Sequence, residues 1–237
     1  MTDVATEAPA EVRDKLALAL DLDDLVAAGR IARELKPWFG TAKVGLELFS
    51  AVGPEAVTAL VDLGYDVFVD LKLHDIPTTV HKAARVLGSL GASYVTMHAH
   101  GGLAMLRAGV EGLELGAAEA GLPMPVGLAV TVLTSDNDAP PHIVPKRVAV
   151  GIEAGCRGIV CAASDVREAH QLAPRMKLVV PGIRPAGAPA HDQARAATPR
   201  EAVDAGADLL VIGRAVTAAD DPAEAAAALA AEVAGSD

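Results

Sequence analysis

Short apolar runs alternate with longer amphipathic ones along this chain. LALALDL (16–22), TAKVGLELF (41–49), DVFVDLKL (66–73), SYVTMHAH (93–100), MPVGLAVTVLT (124–134), RGIVCAA (157–163), KLVVPGI (177–183) and DLLVIGR (208–214) each predict a strand. Between and after them, helical spacing predicts helices near 23–36, 53–64, 78–90, 102–120, 145–154, 165–172, 198–205 and 221–234. The punctuation agrees. Asp23 and Asp24 open the first helix and Lys36 closes it, as the helix dipole favours. Pro54 and Gly64 bracket the second.

Strands that alternate with helices over short links imply a parallel sheet covered by helices. Repeated eight times in about 250 residues, the pattern predicts an α/β fold of the closed (β/α)8 TIM-barrel type. An open doubly wound sheet is the alternative. It calls for a glycine-rich dinucleotide loop after the first strand, and DDLVAAGR (23–30) holds no GxGxxG. No linker-like shift in composition divides the chain. The expected organisation is one barrel domain over 15–237 behind a flexible, polar N-terminal segment, 1–14.

Composition narrows the function classes. The 237 residues are 51% hydrophobic, enough for a large core, and the formal net charge is −11. That balance argues against a nucleic-acid partner. It leaves room for a small anion held by local positive charge. Cys156 and Cys161 match neither a disulfide framework nor a zinc pattern. No apolar run reaches the length of a membrane span, and the first residues lack a signal-peptide pattern. The expectation is a cytoplasmic protein with no membrane partner.

The chemistry concentrates in VFVDLKLHDIPTT (67–79), a strand that carries Asp70 and Lys72 and runs on to Asp75. Residues two apart on a strand share a face. Asp70 and Lys72 therefore face the lumen, while Val69, Leu71 and Leu73 face the helix layer. A buried ion pair is the plainer explanation, but desolvation offsets much of its attraction, so stability alone rarely calls for one. Lys43, with Gly45 and Glu47 on the same predicted face, lies on the neighbouring strand, and Asp21 ends the first. Acids and bases alternating in a nearly dry space hold one another charged. Arg184 follows the seventh strand in PGIRP (181–185), and Gly213 and Arg214 follow the eighth in VIGRA (211–215). Loops after strands seven and eight are the usual phosphate site of this fold, and arginine matches phosphate with a fork of donors. His98 and His100 share a predicted strand face and are weaker candidates for metal ligation. No cofactor-binding or complete metal-binding pattern is evident.

These segments, taken together, resemble the orotidine 5′-phosphate decarboxylase family in its compact bacterial form. The resemblance is carried by LALDLDD (18–24), AKVGLELF (42–49), DLKLHDIPTT (70–79), TVLTS (131–135), PGIRP (181–185) and DQARAATPREAVDAGADLLVIGRA (192–215), in order from about residue 16 to 230. It implies a lyase that converts orotidine 5′-monophosphate to uridine 5′-monophosphate and CO2 without a cofactor. Lys72 would donate the proton to C6 and Asp70 would lie by the substrate carboxylate. Lys43 would hold Asp70 and touch the ribose, with Asp21 nearby. The motif as a whole, Asp70, Leu71, Lys72, Leu73, His74, Asp75, Ile76, Pro77, Thr78 and Thr79, would contact substrate. Asp75 and Thr79 would do so in the other subunit of a homodimer. Thr134 and Ser135 would meet the pyrimidine, and Gln193, Arg184, Gly213 and Arg214 would grip the phosphate. The loop 184–197 is expected to be a mobile lid. A metal-dependent phosphosugar decarboxylase or aldolase shares D-x-K-x-x-D and is the alternative, as is a catalytically silent phosphate-binding barrel.

Overall fold

The computed structural model describes residues 7–136, 139–185 and 197–235. The strands are β1 (Leu16–Leu20), β2 (Thr41–Val44), β3 (Asp66–Leu73), β4 (Tyr94–His98), β5 (Val126–Val130), β6 (Gly158–Val160), β7 (Lys177–Val180) and β8 (Leu209–Ile212). All pair in parallel and in chain order, and β8 pairs back with β1 to close a barrel. The helices are α1 (Ala10–Arg13), α2 (Leu25–Leu35), α3 (Leu46–Val52), α4 (Glu55–Asp62), α5 (Pro77–Ser89), α6 (Gly102–Ala120), α7 (Ile143–Glu153), α8 (Val166–Leu172), α9 (Pro199–Ala205), α10 (Arg214–Thr217) and α11 (Pro222–Ala234). The fold is the predicted (β/α)8 barrel.

β1 shows how sequence builds the two shells of core. In LALAL, Leu16, Leu18 and Leu20 pack outward beneath the helices, and Ala17 and Ala19 face the lumen. Each leucine so buried contributes roughly 1.5–3 kcal/mol. Phe68 and Tyr94 meet edge to face in the lumen, with ring centroids 6.1 Å apart. The Lys177 ammonium donates to the Tyr94 hydroxyl at 2.8 Å. These side chains fill the lumen and leave space above it, at the C-terminal ends of the strands.

Helix ends follow local chemistry. Asp24 caps α2 by accepting the Ala27 N–H at 2.7 Å. Thr198 and Glu201 form a reciprocal capping box on α9. α5 and α6 approach backbone to backbone. A methyl group added at Gly116 would lie 1.9 Å from the Arg85 carbonyl oxygen, and one at Gly112 would lie 2.3 Å from that of His81.

Three expectations change. The strand predicted over 41–49 stops at Val44, and Leu46–Val52 is helix α3. A continuing strand would put Leu46 and Leu48 on one face. Instead Leu48 is fully buried and Leu46 is 60% exposed. The apolar spacing Val44–Leu48 fits a helical turn as well as a strand, which is why periodicity misread it. The strands β5 to β8 are also shorter than predicted, because their last residues leave the sheet for the loops above it. Finally, residues 10–13, expected to fray, form α1 with Val12 buried, while residues 1–6 lie outside the described residues.

Candidate active site

β3 carries the centre of the site. Phe68 faces the lumen, and Asp70 follows on the same face. Above Val69 the pairing is irregular. Val69 pairs with Val95 and Leu73 with Met97, so four steps along β3 stand against two along β4. Two extra residues preserve the in–out alternation while breaking the ladder. Leu71 and Leu73 still pack toward the helix-side core, and Asp70 and Lys72 both meet one β4 residue, Thr96. Lys72 takes up the bulge with a φ of 50°, in the left-handed region that side chains avoid.

The charges then form a chain across three strands. Asp21 Oδ1 accepts from Lys43 Nζ at 3.0 Å, and Lys43 Nζ lies 3.8 Å from Asp70 Oδ2. Lys72 Nζ donates to both Asp70 oxygens, at 2.9 and 3.0 Å. Lys43 is only 8% exposed and lies between Asp21 and Asp70. Gly45 makes room for this. A methyl group there would come within 2.9 Å of both Asp21 Oδ1 and Lys43 Nζ.

Above the lumen these side chains line a cavity of about 540 Å³. Thr134, Ser135, Arg184 and Gly213 line it too, from the loops after β5, β7 and β8, with Arg214 from the start of α10. Arg184 is 7% exposed and donates to its neighbour's carbonyl, Ile183 O, at 3.0 Å. Four cations (Lys43, Lys72, Arg184 and Arg214) face three carboxylates (Asp21, Glu47 and Asp70) around the cavity. In a chain of net charge −11, that local excess suits an anion.

Several expected site residues lie elsewhere. Leu71 and Leu73 pack against the helix-side core, as strand alternation requires, and do not line the cavity. His74, Asp75, Ile76, Pro77, Thr78 and Thr79 are exposed at the β3–α5 junction and are also absent from its lining. Ile76 is 66% exposed. Gln193 and most of the 184–197 loop lie outside the described residues. The loop's two ends are joined, with the Arg184 N–H donating to Ala197 O at 2.9 Å.

The sequence reading missed Thr96, a fully buried polar residue within an apolar strand, whose partners depend on the bulge. It also missed the apolar wall of Val130, Val132, Val160 and Val211, which strand alternation alone does not separate from core. His98 and His100 do not share a strand face. β4 ends at His98, and His100 lies in the 3₁₀ turn that follows. With His74 they form a cluster with ring centroids 5.6–6.5 Å apart. Among the described residues no three His, Cys, Asp or Glu side chains are grouped to hold a metal ion.

This geometry joins a barrel, lysines interleaved with aspartates on β2 and β3, and arginines after β7 and β8. The family model for "Orotidine 5'-phosphate decarboxylase / HUMPS family" matches residues 14–229. The chain belongs to that family. Its relatives include proteins named orotidine 5′-phosphate decarboxylase from Anaeromyxobacter sp. (strain K) and Moorella thermoacetica. The first is 48% identical, over 92% of this chain and 97% of its own length. The second is 45% identical, over 93% and 92%. The crystal structure of orotidine 5′-phosphate decarboxylase from Lactobacillus acidophilus superposes with a TM-score of 0.76 at 33% identity, covering 93% of this chain and 99% of that one. The names these family members carry do not favour the metal-dependent phosphosugar alternative.

Proposed function

We propose that this chain is a carboxy-lyase that converts orotidine 5′-monophosphate to uridine 5′-monophosphate and CO2, the last step of de novo pyrimidine nucleotide synthesis, without a cofactor. The observation that carries this reading is the Asp21–Lys43–Asp70–Lys72 chain lining one cavity together with Arg184 and Arg214.

The reaction breaks the bond between C6 and the carboxylate and leaves the electron pair on C6, in the ring plane. That pair is not conjugated with a carbonyl, so electrostatics and positioning must lower the barrier. The Lys72 ammonium beside C6 favours the developing negative charge and then delivers its proton there. An ammonium also favours the ground-state carboxylate, so a differential effect is needed. Asp70 supplies it. Its charge repels the substrate carboxylate, and the repulsion disappears as CO2 leaves. Lys43 holds Asp70 in place and, with Asp21, holds the sugar. Thr134 and Ser135 meet the pyrimidine. Arg184, Arg214 and the Gly213 backbone, with Gln193, grip the phosphate, whose binding energy orients a ring far from it.

Asp75 and Thr79 belong to a second part of the proposal. They are exposed here, Asp75 just past the end of β3 and Thr79 in the first turn of α5, and would complete the cavity of a partner copy in a homodimer. A cytoplasmic setting accords with two buried cysteines that form no disulfide, and no helix among the described residues is long and apolar enough to cross a membrane.

An absorbance assay with orotidine 5′-monophosphate, run in the presence of a chelator, tests the reaction directly. Uridine 5′-monophosphate should form at an undiminished rate. Unphosphorylated orotidine should be turned over far more slowly. Equal kinetics on the two substrates would remove the phosphate grip from the reading.

A further inference from the structure

Thr96 is fully buried on β4 and does not line the cavity, yet both working residues of β3 depend on it. Its hydroxyl oxygen accepts the Lys72 backbone N–H at 2.9 Å. Its proton has two possible acceptors, Asp70 Oδ1 at 3.0 Å and Val69 O at 3.5 Å. The single proton goes to the nearer and charged one. One hydroxyl thus ties the backbone of Lys72 to the carboxylate of Asp70.

We propose that Thr96 is a positioning residue for the decarboxylation, an inference that rests on the function proposed above. Lys72 lies within the bulge, where the regular β3–β4 register is lost, and its backbone is in the left-handed region. Such a conformation persists only where the surroundings over-determine it, and a buried N–H needs an acceptor. Thr96 provides that acceptor. Asp70 in turn has lysines near both of its oxygens, Lys72 on each and Lys43 by Oδ2. The Thr96 bond to Oδ1 sets the rotation of the carboxylate between them. Together the two bonds fix where the Lys72 ammonium stands relative to the Asp70 charge. Proton delivery and carboxylate repulsion both depend on that separation, and a displacement of about 1 Å can cost 10²-fold in rate.

Thr96→Val keeps the shape and removes the hydroxyl. Thr96→Ser keeps the hydroxyl and removes a methyl. The test compares kcat and KM for orotidine 5′-monophosphate, with uridine 5′-monophosphate affinity measured by calorimetry. Thr96→Val should lose about 10- to 100-fold in kcat, the scale of a lost hydrogen bond to a charged group. KM and product affinity should stay near wild type. Thr96→Ser should retain most of kcat, which a purely space-filling role would not predict. Should Thr96→Val not fold, Thr96→Cys, with a weak donor of similar size, carries the test with the same expected loss. An unchanged kcat in the variant that lacks the hydroxyl overturns the proposal. So does an equal loss in Thr96→Ser, or a loss confined to KM. Wild-type protein that leaves orotidine 5′-monophosphate intact refutes the decarboxylase reading itself and takes this proposal with it.

Discussion

Lys72 combines a strained backbone with a partly open side chain, 32% exposed. Left-handed backbone costs a residue of this kind roughly 1–3 kcal/mol, and such strain gathers at functional sites. Lys72→Ala should lower kcat by at least about 10³-fold, as expected for loss of an acid that also stabilises charge. Steady-state kinetics and a melting curve check this together. The fold should persist, because Asp70 keeps Lys43 and Thr96 as partners. Near-normal turnover would remove Lys72 from the mechanism. His98 makes a different statement at the same scale. Its Nδ1 is buried without a hydrogen-bond partner among the described residues. Burial, then the charges of Arg147, His74, His100 and Lys72, push its imidazole below the ordinary 6.5. The unfolded chain takes up this proton near pH 6.5, and the folded chain only at lower pH. Between those values the unfolded state binds more protons, so the stability that neutral His98 contributes falls as pH drops through 6.5 and is gone below the folded value, where the effect levels off. His98→Asn should flatten the slope of melting temperature against pH below 6.5. A slope identical to wild type would show that His98 contributes none of it.

At the scale of elements, the α5–α6 pair is the tightest fit. Gly116 is a poor helix former in mid-helix, and alanine would gain about 1 kcal/mol of propensity. The gain is outweighed, because the added methyl would lie 1.9 Å from the Arg85 carbonyl oxygen, a backbone atom that moves only with its helix. Gly116→Ala should therefore destabilise by about 1–3 kcal/mol net, as overpacking does, measured by denaturant titration. A variant as stable as wild type would mean that the helices separate at little cost. The same scale explains the misread strand. LELF after Gly45 satisfies strand and helix spacing alike, and which one forms depends on where the barrel layer ends. β2 needs only four residues to span its neighbours, so the chain turns at Gly45 and α3 brings Glu47 to the cavity.

For the whole molecule, the open question is whether one chain makes a complete site. Residues 74–79 are exposed, and the homodimer proposed above would place Asp75 in a shared site. Lys72→Ala and Asp75→Asn should each be nearly inactive alone. Co-expressed, they should regain about one quarter of wild-type activity, since random pairing makes half the dimers mixed and each mixed dimer holds one intact site of two. An assay of the purified mixture, compared with each variant alone, reads this out. No recovery would mean that Asp75 serves its own chain or that subunits do not share sites.

The order of short apolar runs and helical stretches was sufficient for the barrel, because eight repeats with period two and then 3.6 leave few ways to bury that much apolar surface. It also placed Asp70 and Lys72 on one face and set Arg184 and Arg214 in the loops where this fold keeps anions. Tertiary structure alone decided three things. It ended β2 at Val44, it opened a two-residue bulge after Val69, and it set Thr96 beneath the charges. Each depends on register between strands distant in sequence, and a period read along one strand carries no information about its neighbour's.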